Sequence, residues 1–167
     1  MVINETEELF PNELRFLSMS LSKYTSQVKV INHNEQVVYN YLSNFENLSA
    51  YLNSGLIQKI TEKIPQVKIT DFSSDKDSCK FNITGFGLAE IKIVNREPFK
   101  TIKVESSGGL PLSFTFWIQL MPVDAYKTKM RLTLHAEMSM MVKMMADSKL
   151  EEGIDKLADT LSSLPYK

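Results

Sequence analysis

The sequence predicts an α+β fold in which a curved sheet of seven antiparallel strands wraps one long C-terminal helix. Three features carry that expectation. From Leu112 to Leu120 the even positions Leu112, Phe114, Phe116, Ile118 and Leu120 are apolar, with Ser113, Thr115, Trp117 and Gln119 between them. After a turn the alternation resumes, with Met130, Leu132, Leu134, Ala136 and Met138 against Lys129, Arg131, Thr133, His135 and Glu137. Successive strand side chains point to opposite faces, so each segment presents one apolar face. From about Met140 the period changes. Leu150, Ile154, Leu157, Leu161 and Leu164 recur at spacings of 4, 3, 4 and 3, one face of a helix that can lie across the sheet.

Taken in order, residues 1–19 read as an N-terminal extension, either disordered or holding a weak helix after Pro11, ahead of a single domain at 20–167. The extension carries Glu5, Glu7 and Glu8 and a short apolar scatter at Leu14, Phe16 and Leu17. A first strand is expected from Tyr24 to Ile31, with Val28 and Val30 on one face. Asn34 is a good helix cap, with Val37, Val38, Tyr41 and Leu42 at helical spacing behind it. A second short helix runs from about Phe45 to Leu52, and Ser54-Gly55 interrupts it. Residues 56–63 (LIQKITEK) read as a further helical turn before Pro65.

Six strands follow: Val67–Phe72, Ser78–Thr84, Leu88–Arg96, Lys100–Ser106, Leu112–Met121 and Lys127–Ser139. The breaks between them hold turn residues: Ser74-Asp75-Lys76-Asp77, Gly85-Phe86-Gly87, Pro98, Gly108-Gly109 and Val123-Asp124-Ala125. Short connections imply antiparallel hairpins. The expected register pairs Phe116 with Leu132, Ile118 with Met130, Ile83 with Ala89, and Ile93 with Ile102.

Composition narrows the function classes. The chain has 167 residues, 43% of them hydrophobic and 23% charged, which suits one soluble domain with a sizeable core. A formal net charge of -1 and the lack of any Lys/Arg stripe argue against a nucleic-acid partner. No segment approaches the roughly 18 apolar residues of a membrane span, so stable membrane insertion is not expected. The opening MVINETEELF is acidic where a signal peptide needs a basic start, which points to the cytoplasm. The single Cys79 cannot form an internal disulfide and reads as a small buried hydrophobe.

The order β-α-α-β6-α resembles the START-like helix-grip fold, the SRPBCC superfamily with its birch-pollen-allergen and polyketide cyclase branches. The resemblance covers about residues 20–165. It is carried locally by VKVINHNEQVVYNYLSNFENL, IVNREPFKTIKVES and KLEEGIDKLADTL. It implies a sheet that grips the last helix, and a space between them that commonly holds an apolar ligand. The implied function is binding or transport of a small hydrophobic ligand such as a lipid, quinone or polyketide. Two alternatives stay open: a cyclase or aromatase-like enzyme using the same pocket, and a protein-interaction module of the cochaperone kind acting through the outer sheet face.

The candidate lining follows the inward register. On the strands it comprises Phe81, Ile83, Ile91, Ile102, Phe114, Phe116, Ile118, Met130, Leu132, Leu134 and Met138. On the helix it comprises Met141, Met145 and Leu150. Five methionines, Met138, Met140, Met141, Met144 and Met145, read either as a deformable cavity wall or as core filler. Gly153, inside the helix, calls for close approach to the sheet or room for a ligand. Asp147, Glu151, Glu152, Lys156 and Asp159 read as solvated surface.

Catalytic groups are few. His33 and His135 have no partner at ligand spacing, so neither a metal site nor a cofactor is expected. Asp71 shares parity with Val67 and Ile69 and is the clearest ionisable group on the inner face, where a raised pKa would suit acid or base work. No nucleophile–base pair can be placed, and no catalytic residue is assigned. Trp117 faces outward with Thr115, Gln119, Arg131 and Thr133. There it can anchor a homodimer or protein partner, or be covered by the extension.

Overall fold

The structure is a computed structural model, and it describes residues 19–51, 68–85, 87–108 and 112–167. It contains β1 (Met19–Thr25), β2 (Lys29–Ile31), α1 (Glu35–Leu42), α2 (Phe45–Tyr51), β3 (Ile69–Ser74), β4 (Ser78–Ile83), β5 (Gly87–Glu97), β6 (Thr101–Gly108), β7 (Ser113–Asp124), β8 (Lys127–Ser139) and α3 (Met140–Ser162). The strands form one antiparallel sheet in the order β1-β8-β7-β6-β5-β4-β3, and β2 also pairs with β8. The expected fold class is therefore what is observed. The expected extension at 1–18, the Ser54-Gly55 interruption and the helical turn at 56–63 lie outside the described residues.

Capping fixes both main helices as the sequence implies. Asn34 Oδ1 accepts from Val37 N at 2.9 Å at the start of α1. Ser139 Oγ accepts from Val142 N at 3.2 Å where β8 turns into α3. Each side chain satisfies a backbone donor that the first helical turn leaves open.

The first strand departs from expectation because it breaks in two. Ser26 N donates to Leu132 O at 2.9 Å, and Ser26 Oγ accepts from Leu132 N at 2.9 Å, so a side chain takes over one rung of the ladder. Parity changes across the break. Ser22, Tyr24 and Ser26 are buried before it and Ile31 after it, which leaves Val28 and Val30 54% and 52% exposed.

Register also differs from expectation, by an even number. Phe116 opposes Leu134, Ile118 opposes Leu132 and Leu120 opposes Met130. Phe81 opposes Ala89 and Ile83 opposes Gly87. Ile93 opposes Val104 and, past a bulge, Arg96 opposes Ile102. The turns close at other residues than their composition implies; Asp124 pairs with Lys127, leaving Ala125-Tyr126 as the connection. A slip of two residues moves each pair along the strand without changing its face.

Asp71 is the third correction. A bulge between Thr70 and Ser73 inserts an extra residue, and Asp71 takes φ +55 there with its side chain exposed. A bulged residue leaves the alternation of its strand, and the left-handed region is one that aspartate tolerates. It is not an inward carboxylate.

The core fills one end of the space between sheet and helices. Ile102, Met130, Leu132, Val38, Leu42 and Ala158 are all essentially inaccessible, with Ile118, Ile154, Leu161 and Leu164 close behind. Arg96 ties this end to the helices, donating from Nε and Nη2 to Ser43 O at 3.1 and 2.8 Å and pairing with Asp77 Oδ1 at 2.7 Å.

Candidate functional site: an apolar cleft between sheet and helix

The sheet is wider than the helix it carries. α3 packs on β8, β1 and β2. Three carboxylates on one flank hold it there. Tyr24 OH donates to Asp147 Oδ1 at 2.6 Å, Gln27 N donates to Asp155 Oδ1 at 2.8 Å, and Lys29 Nζ pairs with Asp159 Oδ1 at 2.6 Å. Asp147 and Asp159 are thus clamps rather than plain solvated surface.

The other flank carries Ala146, Leu150, Gly153 and Leu157. Ala146, Leu150 and Leu157 are half-buried and Gly153 is exposed. A Cβ built on Gly153 would meet nothing within 4 Å, which overturns the reading of close approach to the sheet.

The half-buried inner residues continue this open region across the sheet. Phe81 on β4, Ile91 on β5, Phe114 and Phe116 on β7 and Leu134 on β8 are all partly accessible, and all of them but Phe81 pack against the core. Together with Leu150 they are the six expected lining residues that are half-buried. Ile83, Ile102, Ile118, Met130, Leu132 and Met138 keep at most 5% of their surface and are buried. Met141 and Met145 are 53% and 71% exposed, on the outside of the helix start. These residues define the candidate site, an apolar region between sheet and helix.

Polar groups at its margin are sparse. Ser106 Oγ accepts from Phe114 N at 2.8 Å. Tyr24 is 8% exposed, and its phenol is pushed up to about 12, first by burial and then by the hydrogen bond to Asp147. Ser22, two residues away on the same face, is buried beside it. Sequence reasoning missed Tyr24, Ser22 and Arg96. The broken first strand hid the parity of Ser22 and Tyr24, and the bulge after Ile93 hid that of Arg96. Among the described residues no three His, Cys, Asp or Glu side chains could hold a metal ion. Cys79 is fully buried, and burial pushes its thiol up to about 12, with the Asp75 carboxylate adding to the effect.

The outer face has its own relief. Trp117 meets His135 edge-on at 4.6 Å between ring centroids, and Lys103 Nζ lies 5.8 Å from the indole. Gln119 Oε1 accepts from Arg131 Nε at 3.1 Å and from Thr133 Oγ1 at 3.0 Å. A depression of about 370 Å³ lies among Thr25, Trp117, Gln119, Arg131, Thr133 and His135. Another of about 370 Å³ adjoins it, from His135 past Thr115 to Leu21 and Glu137.

A broken edge strand, two short helices, six antiparallel strands and a gripped C-terminal helix make this a helix-grip fold. Solved structures with the same fold include norcoclaurine synthase from Thalictrum flavum, 12% identical with a TM-score of 0.57 over 90% of this chain and 98% of that one. Mll3558 from Rhizobium loti is 14% identical, with a TM-score of 0.62 over 87% and 98% of the two chains. A conserved protein from Geobacillus kaustophilus is 16% identical, with a TM-score of 0.55 over 84% and 90%. No family model matches the sequence, and no curated protein matches it. Among the described residues no helix is long and apolar enough to cross a membrane.

Proposed function

We propose that this chain binds a small hydrophobic ligand, a lipid, quinone or polyketide-like molecule, in the cleft between the sheet and α3. The observation that carries the reading is the flank of α3 at Leu150, Gly153 and Leu157. Leu150 and Leu157 there are half-buried and Gly153 is exposed, while among the described residues Phe81, Ile91, Phe114, Phe116 and Leu134 keep some accessible apolar surface on the inward register of the sheet. Burying ligand surface there is worth roughly 25 cal/mol per Å² before association costs. Ser106 and Tyr24 at the margin would orient a polar end. The ligand is released to or taken from the cytoplasm, where the free Cys79 stays reduced.

The test is native mass spectrometry of protein purified from its own host, with organic extraction of anything bound. The expected result is a discrete adduct that Gly153→Trp, which projects into the open space, abolishes. Unliganded protein under every preparation, or an adduct untouched by Gly153→Trp, refutes the reading.

An enzymatic reading has one support outside the chain: a norcoclaurine synthase of this fold has been solved in complex with dopamine and hydroxybenzaldehyde. Within the chain Asp71 is exposed, and Tyr24 and Asp147 are already engaged with each other. A reading through the outer face is favoured by Trp117, His135 and Arg131 set around a depression, since Trp and Arg dominate binding hot spots. It is tested by comparing sedimentation of wild type with Trp117→Ala; unchanged association counts against it.

A further inference from the structure

Four methionines stand exposed in the first two turns of α3. Met140 is 40%, Met141 53%, Met144 72% and Met145 71% accessible. A fifth, Met19 on β1, is 57% accessible and opposes Ser139, the residue that caps the helix. Met130 and Met138 on β8, in contrast, are completely buried. Methionine is a good filler of irregular core space, yet these five fill none. The helix does not require them either, because Lys, Gln, Glu and Arg sustain a helix about as well. Every large apolar side chain that α3 leaves exposed is a methionine. What the five share beyond apolarity is the thioether sulfur.

Their spacing lets sulfurs meet. Met140 and Met144, and Met141 and Met145, stand four residues apart, and Met141 and Met144 three apart. Such positions are neighbours on a helix, with Cβ atoms about 5–6 Å apart. Three rotatable bonds then allow two or three sulfurs to converge on one ion. Thioether sulfur is a soft, uncharged donor that suits Cu(I), whereas Mg²⁺ and Ca²⁺ call for oxygen ligands. The site sits at a helix N-terminus, whose partial positive charge opposes a divalent cation more than a monovalent one. Cys79, the chain's one thiol, does not compete, being wholly buried.

We propose that Met140, Met141, Met144 and Met145, with Met19 beside them, form a surface site for a soft monovalent cation, Cu(I), held by thioether sulfurs. The ion binds and leaves as Cu(I), with no change of oxidation state. The site is separate from the apolar cleft and stands whether or not the cleft holds a ligand.

The experiment is a titration of full-length protein carrying [methyl-¹³C]methionine with Ag(I), a redox-inert stand-in, in chloride-free buffer. It is repeated with Cu(I) under ascorbate. The methyl signals of Met19, Met140, Met141, Met144 and Met145 should shift and saturate together. Those of Met121, 64% exposed at the far end of β8's hairpin, and of buried Met130 and Met138 should stay. Zn²⁺ should move none. Changing the four helix methionines to Leu keeps apolar volume and helix propensity, and should weaken Cu(I) binding at least tenfold in competition with a colorimetric Cu(I) chelator. Absent shifts, shifts at Met121 equal to those on α3, a response to Zn²⁺, or wild-type affinity in the Leu variant each overturn the proposal. The wild-type titration is read on the unaltered protein, so a folding defect in the variant does not blunt it.

Discussion

Gly153 stands inside α3 with open space where its Cβ would point. Gly153→Ala therefore relieves a helix-interior penalty of about 1 kcal/mol and meets no clash. Thermal unfolding should shift upward by about 2–4 °C for a chain of this size; an unchanged or lowered midpoint refutes the open flank. Cys79 gives a second residue-scale outcome. With its thiol pushed up to about 12 by burial, it should stay unmodified by iodoacetamide in native protein at pH 8 and react on unfolding. Tyr24 gives a third. Its phenol rises from 10.0 to about 12 in the fold, and burial also raises Tyr39 and Tyr166. The stability this represents is whole below pH 10 and is lost as pH climbs through 12. An alkaline titration at 295 nm should show phenolate formation lagging behind that of the denatured chain and merging with unfolding. Cys79's burial was legible from its strand parity. Tyr24's role was not, because it depends on Asp147, 123 residues away.

At the scale of elements, α3 is held by two kinds of force of unequal size. The Lys29–Asp159 pair is largely exposed on the Asp159 side, at 62%, so Asp159→Asn should cost no more than about 1 kcal/mol. Ile154→Ala, at 5% exposure in the core cluster, should cost about 2–5 kcal/mol. Urea unfolding of both variants checks the order; the reverse order would mean the ion pairs rather than the apolar stripe seat the helix. The stripe itself was plain in the sequence, since Ile154, Leu161 and Leu164 are buried as their spacing demanded. The six strands after α2 were equally plain in number, and in face away from their bulges. Their pairings were not, because hairpin register depends on where each turn closes, and composition constrains that only to within a residue or two. Asp71 and Arg96 fell to bulges, which add a residue and carry no reliable sequence mark.

At the scale of the molecule, among the described residues α3 packs mainly on β8, β1 and β2. We propose that residues 20–167 form the single domain and residues 1–19 an extension, though β1 already begins at Met19. A chain starting at Met19 should then unfold within a few degrees of full-length protein. A large loss would make the preceding segment part of the fold. The alternation of β7 and β8 and the stripe on α3 by themselves determined an antiparallel sheet gripping a C-terminal helix, because side-chain period is local and survives any even slip of register. Only the tertiary structure decided that α3 sits to one side, over β1, β2 and β8. Asp147, Asp155 and Asp159 reach Tyr24, Gln27 and Lys29 across more than a hundred residues of chain, and no local pattern encodes a contact of that range.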